Sequence, residues 1–215
     1  MRLVKEDILN IERYLKDKGI KFLDVRYELI DHLVSEYEAM ENYPDLESFL
    51  IKRVPWCKKV AEEKRKSIHW GYQKAFWTRL FSFLKKPMTC FFLIFWAVSL
   101  HILVSLLSPK VFNAVIISIF YCVPICQIGL FFYQRQLDGI KKKVLSYDTL
   151  FNIYSFPHLY MYFLPLIGDY MKSEPYWLAG YCTIGILLNA TALIEVVNRR
   201  KLILKEYKFL KLFFS

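Results

Sequence analysis

Apolar residues in this chain fall into two regimes. From Ile8 to Leu50 they recur at helical spacing between polar residues, whereas from Met88 onward they merge into long runs. Four runs stand out: Met88–Ser108, Val111–Tyr133, Thr149–Ile167 and Tyr176–Val197. Each is close to the ~20 residues with which a helix rising ~1.5 Å per residue crosses a ~30 Å hydrocarbon layer. The pattern predicts an all-α protein with a small helical head and a membrane domain of four transmembrane helices. The third run is interrupted by Asn152, Pro157, His158 and Pro165. Prolines are tolerated in membrane helices when neighbours re-satisfy the freed backbone groups, so it is expected to span.

Basic residues fix the expected orientation, because cationic flanks of short loops resist translocation. Arg79, Lys85 and Lys86 precede the first run; Arg135, Lys141, Lys142 and Lys143 separate the second and third. Arg199, Arg200, Lys201, Lys205, Lys208 and Lys211 follow the fourth, while the opposite loops offer Lys110 and Lys172. Head and both termini are therefore expected on the cytoplasmic side. A three-span chain would push one of the basic clusters outward. Met1–Asp17 is charged and amphipathic, so the first span, not a cleaved leader, is the expected insertion signal.

Within the head, 1–67, Ile8, Ile11 and Leu15 mark a first helix stopped at Gly19. Asp24 is the expected N-cap of a second helix through Val25, Leu29, Leu33, Tyr37 and Met40. A third carries Leu46, Phe49 and Leu50 and is expected to break near Pro55. Residues 68–87 hold Trp70, Tyr72, Phe76 and Trp77 beside Lys74 and Arg79, the mixture of an interfacial connector. The tail, 198–215, sets Lys201, Lys205 and Lys208 against Ile203, Tyr207, Leu210 and Phe214, which predicts a basic amphipathic helix in the membrane plane.

Composition agrees with that division. Hydrophobic residues make up 55% and aromatics 18% of 215 residues, and the formal net charge is +10. The basic excess sits beside the spans, so the lipid bilayer and its anionic headgroups are the expected counter-charge. No base-stacking module or recognition helix is visible, and direct nucleic-acid binding is not expected. The five cysteines, Cys57, Cys90, Cys122, Cys126 and Cys182, fall in the head or within spans, which argues against a disulfide framework. No GxSxG, P-loop or paired-carboxylate arrangement occurs, so neither catalysis nor a cofactor is expected.

The head carries Tyr14-Leu15, Gly19-Ile20 and Asp24-Val25, followed by the run Glu28-Leu29-Ile30-Asp31-His32-Leu33 with Glu36 and Glu38 after it. These residues resemble the small helical HAAS signalling domain at the N-termini of bacterial membrane proteins. The resemblance covers the N-terminal quarter of the chain. It implies a cytoplasmic module that communicates with PadR-type transcriptional regulators. Glu28, Asp31, His32 and Glu36 are accordingly the candidate partner-binding residues. Glu28, His32 and Glu36 recur at i, i+4, i+8, but one helix rarely closes a metal site alone and the HExxH spacing is absent, so no metal is expected.

Inside the expected spans lie His101, Gln127, Asn152, His158, Asn189 and Glu195, with His158 and Asn189 nearest the midplane. Intramembrane polar groups are costly, and they either fix helix packing through hydrogen bonds or line a functional site. His101, Gln127, His158 and Asn189 are the candidates for such a site. Together these features predict a bacterial inner-membrane regulatory protein whose head binds a cytoplasmic protein and whose spans sense membrane or envelope state. Self-association is plausible for a head this small. The alternative is a small transporter or ligand-binding membrane protein using the intramembrane polar residues.

Overall fold

In the computed structural model the described residues are 3–40, 44–140 and 143–213, with side chains described except at 169–172 and 209–213. Of the residues weighed above, Lys141, Lys142 and Phe214 lie outside the described residues, as do the side chains of Lys172, Leu210 and Lys211. The described secondary structure is helical throughout: α1 Lys5–Asp17, α2 Leu23–Glu38, α3 Leu46–Leu84, α4 Pro87–Leu106 and α5 Pro109–Leu137. Then come α6 Leu145–Asp148, a 3-10 turn Leu150–Tyr154, α7 Ser155–Tyr162, α8 Leu164–Lys172 and α9 Pro175–Phe213. The chain divides into two compact units, 1–71 with 140–150 and 200–215, and 72–139 with 151–199.

In the first unit, α1 and α2 form a hairpin around Gly19, whose φ of 94° lies in the left-handed region that only glycine enters cheaply. The Gly19 and Ile20 amides donate back to the Lys16 and Leu15 carbonyls at 3.1 Å each, closing the end of α1. Ile11, Leu15, Leu29 and Leu33 are fully buried, and Phe49, Leu50 and Cys57 of α3 and Leu145 of α6 join their cluster. Arg26 is buried too. It donates to Glu12 at 2.9 Å and to the Ile20 carbonyl at 2.9 Å, so the buried guanidinium has both a counter-charge and a backbone acceptor across the hairpin.

Helices α3 and α9 both run further than the sequence suggested. Pro55 does not break α3, which runs 39 residues through it. The missing Pro55 N–H leaves the Ile51 carbonyl without its helical donor at a residue that is exposed, where solvation makes the loss cheap. Residues 68–84 are consequently the end of α3 and form no separate connector helix. The tail likewise continues the last span as one 39-residue helix, since no breaker lies between Val197 and Phe213. Its Ile203 and Tyr207, at i, i+4, are buried, while Leu202, Lys205 and Glu206 are exposed.

The second unit contains the membrane-type segments. Among the described residues, three helices are long and apolar enough to cross a membrane: Pro87–Leu106, Pro109–Leu137 and Pro175–Lys208. The expected third span, Thr149–Ile167, is not a fourth such helix. Pro157 falls in the first turn of α7 and Pro165 in the first turn of α8, where a missing N–H and a fixed φ cost nothing. Each proline thus begins a new helix, and the run is divided into short pieces. Leu100 of α4, Phe112, Ile116 and Phe120 of α5, Met161, Leu164, Leu178, Ala179 and Cys182 form one buried cluster. By contrast Phe91, Phe92, Ile94, Phe95 and Val98 of α4 are more than half exposed, an apolar face suited to lipid. Gly185 of α9 packs so closely on α5 that a Cβ there would overlap the Phe120 ring.

Candidate functional site

The four candidate residues of the head lie on α2, and the structure separates them into two pairs of different fate. Glu28 forms an ion pair with Lys64, and Glu36 with Arg53. Between them the His32 ring meets the edge of Trp56, centroids 6.4 Å apart. Partners therefore descend along α3 as positions ascend along α2, the pattern of an antiparallel seam. A polar stripe at i, i+4, i+8 is thus mostly an intramolecular contact. Asp31 and His32 are exposed, and with half-exposed Trp56 they are what the stripe offers to another molecule.

Asp24 has a role the sequence misassigned. The N-cap position of α2 is Phe22, which makes no side-chain cap, and Asp24 lies inside the first turn. Besides the neighbouring Val25 amide at 3.1 Å, its carboxylate accepts from the Leu145 amide at 2.9 Å, the Ser146 amide at 3.1 Å and the Ser146 hydroxyl at 2.9 Å. These are the otherwise uncapped first N–H groups of α6, so Asp24 caps a helix far along the chain. The Leu23 amide adds a bond to the Lys143 carbonyl at 2.8 Å. Leu145 and Tyr147 are each 1% exposed, which seats α6 firmly in the head unit. Only a long-range contact reveals this; no local signal marks it.

Beside this clamp is an open groove of about 660 Å³ lined by Asp24, Tyr27, Glu28, Lys64, Ser146, Leu202, Lys205 and Glu206. Two cations face three carboxylates, one of which already holds Lys64, so the lining carries one net negative charge. Cys57 is fully buried beneath the α2–α3 seam, and burial pushes its thiol from 9.0 up to about 11, so it is a packing residue and no nucleophile.

The intramembrane candidates do not come together. His101 Nδ1 lies 3.2 Å from the Tyr176 hydroxyl, and the two rings stack. Gln127 and Asn189 are both buried, the Gln127 amide donating to the Asn189 carbonyl at 2.9 Å and Asn189 Nδ2 to the Gly185 carbonyl at 2.8 Å. His158 stacks on Tyr154 with centroids 5.5 Å apart and lines a cavity of about 360 Å³ with Tyr121, Pro124, Ile125, Met161 and Tyr162. Hydrogen bonds that fasten α5 to α9 account for the middle pair, and the histidines occupy two further places.

Glu195 belongs to a different cluster. It is 3% exposed, and Arg79 of α3 and Arg199 of α9 each direct Nε to one of its carboxylate oxygens. Arg199 also lies over the Tyr72 ring, 5.7 Å from its centroid. The i, i+4 spacing of Glu195 and Arg199 was legible in the sequence; the third member was not. Cys122 and Cys126 share a face of α5 with their sulfurs 3.8 Å apart, and all five cysteines are free thiols. Among the described residues no three His, Cys, Asp or Glu side chains gather as metal ligands. No family model matches the chain, and no curated protein or solved structure does either.

Proposed function

We propose that the chain is a bacterial inner-membrane regulatory protein, with both termini cytoplasmic, whose helical head captures a cytoplasmic protein and whose four crossings bias that capture. The HAAS-like residues of α2 make a PadR-type transcriptional regulator the candidate partner. Four crossings are favoured by connectivity. The chain leaves the head unit at residue 71, returns at 140, leaves again after 150 and returns at 200. The first excursion holds two long apolar helices, an exit and a return. The second holds one, and in this reading the broken segment 151–172 makes the other passage. Its helical pieces together hold enough residues for ~30 Å at ~1.5 Å per residue if they run end to end. Packing inside the second unit supports the same reading: Phe151 contacts Phe131 near the end of α5, while Met161 and Leu164 join the cluster of Phe112 near its start.

A single observation carries the functional reading: Asp24 of the head grips the N-terminus of α6, the segment joining two crossings. A shift of those crossings is thereby delivered to α2, the helix that bears Asp31 and His32. The test is photo-crosslinking in cells from a reactive residue at position 31 or 32 of the full chain. A soluble PadR-type regulator in the adduct is the expected result, reduced by His32→Ala at the neighbouring position. Absence of any regulator adduct from both positions refutes the partner assignment. A second reading, a ligand-binding membrane protein, draws on the cavity beside His158. His158→Phe would fill that cavity and abolish ligand binding without altering crosslinking from the head.

A further inference from the structure

Where α3 ends and α4 begins, the second unit holds a small cavity of about 150 Å³ lined by Arg79, Ser82, Phe83, Lys86, Thr191 and Ile194. Its chemistry is that of a phosphate subsite: a guanidinium, an ammonium and the Ser82 hydroxyl around an opening of phosphate size, while the Thr191 hydroxyl on the wall donates to the Leu187 carbonyl at 2.9 Å. The carboxylate nearest to it does not oppose an anion, because both oxygens of Glu195 are taken by Arg79 and Arg199. Two guanidiniums against one carboxylate leave that cluster with one positive charge, and Lys86 adds a second. Arg79 gives its Nε to Glu195, and no acceptor among the described residues takes its terminal nitrogens. Glu195 therefore fixes the fork in place before any ligand arrives, which lowers the ordering cost of binding.

The cavity also has a defined depth. Lys86 immediately precedes Pro87, the first residue of a membrane-length helix, and Thr191 and Ile194 lie in another. Beyond Lys86 the exposed side chains of Met88, Phe91 and Phe92 provide an apolar surface along α4 on which an acyl chain can lie. We propose that Arg79, Ser82 and Lys86 form a discrete site for the phosphate headgroup of one anionic glycerophospholipid. The inference rests on the membrane assignment but not on the identity of the protein partner. A phosphomonoester or inorganic phosphate shares the headgroup's chemistry; the adjoining apolar track is what selects a lipid.

The test is native mass spectrometry of the full chain in neutral detergent with equimolar phosphatidylglycerol and phosphatidylcholine. Wild type should retain one phosphatidylglycerol in preference. Lys86→Gln should reduce that preference about fivefold, the contribution of one interfacial cation. Lys86→Arg should restore it, and Lys205→Gln, remote in sequence from the cavity, should leave it unchanged. Thermal unfolding of each variant identifies any that fails to fold, and Ser82→Ala supplies a second, uncharged probe of the same cavity. An unchanged preference in Lys86→Gln and Ser82→Ala, or an equal loss in Lys205→Gln, overturns the site. Displacement of the lipid by millimolar inorganic phosphate overturns the lipid assignment. Crosslinking of the head to its partner is measured separately, so failure here and failure there are distinguishable.

Discussion

Replacing Asp24 with alanine removes one half-buried carboxylate and four hydrogen bonds, a local one from the Val25 amide and three from the Leu145 amide, the Ser146 amide and the Ser146 hydroxyl. Hydrogen bonds to a charged acceptor contribute ~1.5–3 kcal/mol each, and a helix cap about 0.5–2 kcal/mol as a unit. The carboxylate is half-buried, so water replaces part of what is lost, and the cap value is the better guide. Adding the cost of stranding the amide of buried Leu145, the expected loss is ~2–4 kcal/mol. It should be local to residues 143–150, and hydrogen exchange of the full chain in detergent reads it directly. With tenfold in rate for each ~1.4 kcal/mol, the Leu145 and Ser146 amides should exchange roughly 30- to 1,000-fold faster than in wild type. Asp24→Asn keeps one acceptor oxygen and should fall between. Exchange at both amides within threefold of wild type in Asp24→Ala would refute the clamp and the coupling built on it.

Gly185→Ala forces a Cβ into the buried ring of Phe120 and should cost about 1–3 kcal/mol in denaturant or thermal unfolding, with Phe120→Leu restoring most of it. Glu195→Ala leaves two guanidiniums facing each other; because both are partly exposed, the loss should be about 1–3 kcal/mol, below that of a fully buried broken pair, and smaller for Glu195→Gln. Cys57 resists alkylation in the folded chain. Its thiol is held at about 11 against 9.0 when exposed, so the unfolded state releases its proton first and stability should fall as pH rises from about 9 to about 11. Cys57→Ala should flatten that part of the unfolding profile; an identical pH dependence in the variant contradicts the assignment.

Three membrane-length helices were readable because hydrophobic length is a local property, and the hairpin of α1 and α2 because Gly19 and the apolar spacing are local too. Errors followed wherever a residue's partner lies far away. Asp24 looked like the cap of its own helix, and its acceptor oxygens went to Ser146 instead. Glu28 and Glu36 looked like free surface, since nothing local announces that Lys64 and Arg53 will meet them. Pro55 looked like a breaker because the exposure of Ile51, which makes the lost bond harmless, is a tertiary fact. Pro157 and Pro165 were visible as interruptions, yet whether they kink one helix or begin two depends on the packing of Met161 and Leu164. The Arg79–Glu195–Arg199 cluster was half legible, through its i, i+4 pair.

Dual topology reporters fused after Gly139, Ser173 and Arg200 in a bacterial host test the central claim most directly. Four crossings, with segment 151–172 making the third, predict cytoplasmic signal at Gly139 and Arg200 and periplasmic signal at Ser173. Cytoplasmic signal at Ser173 together with periplasmic signal at Arg200 would mean three crossings, and would separate the head from the end of the last span.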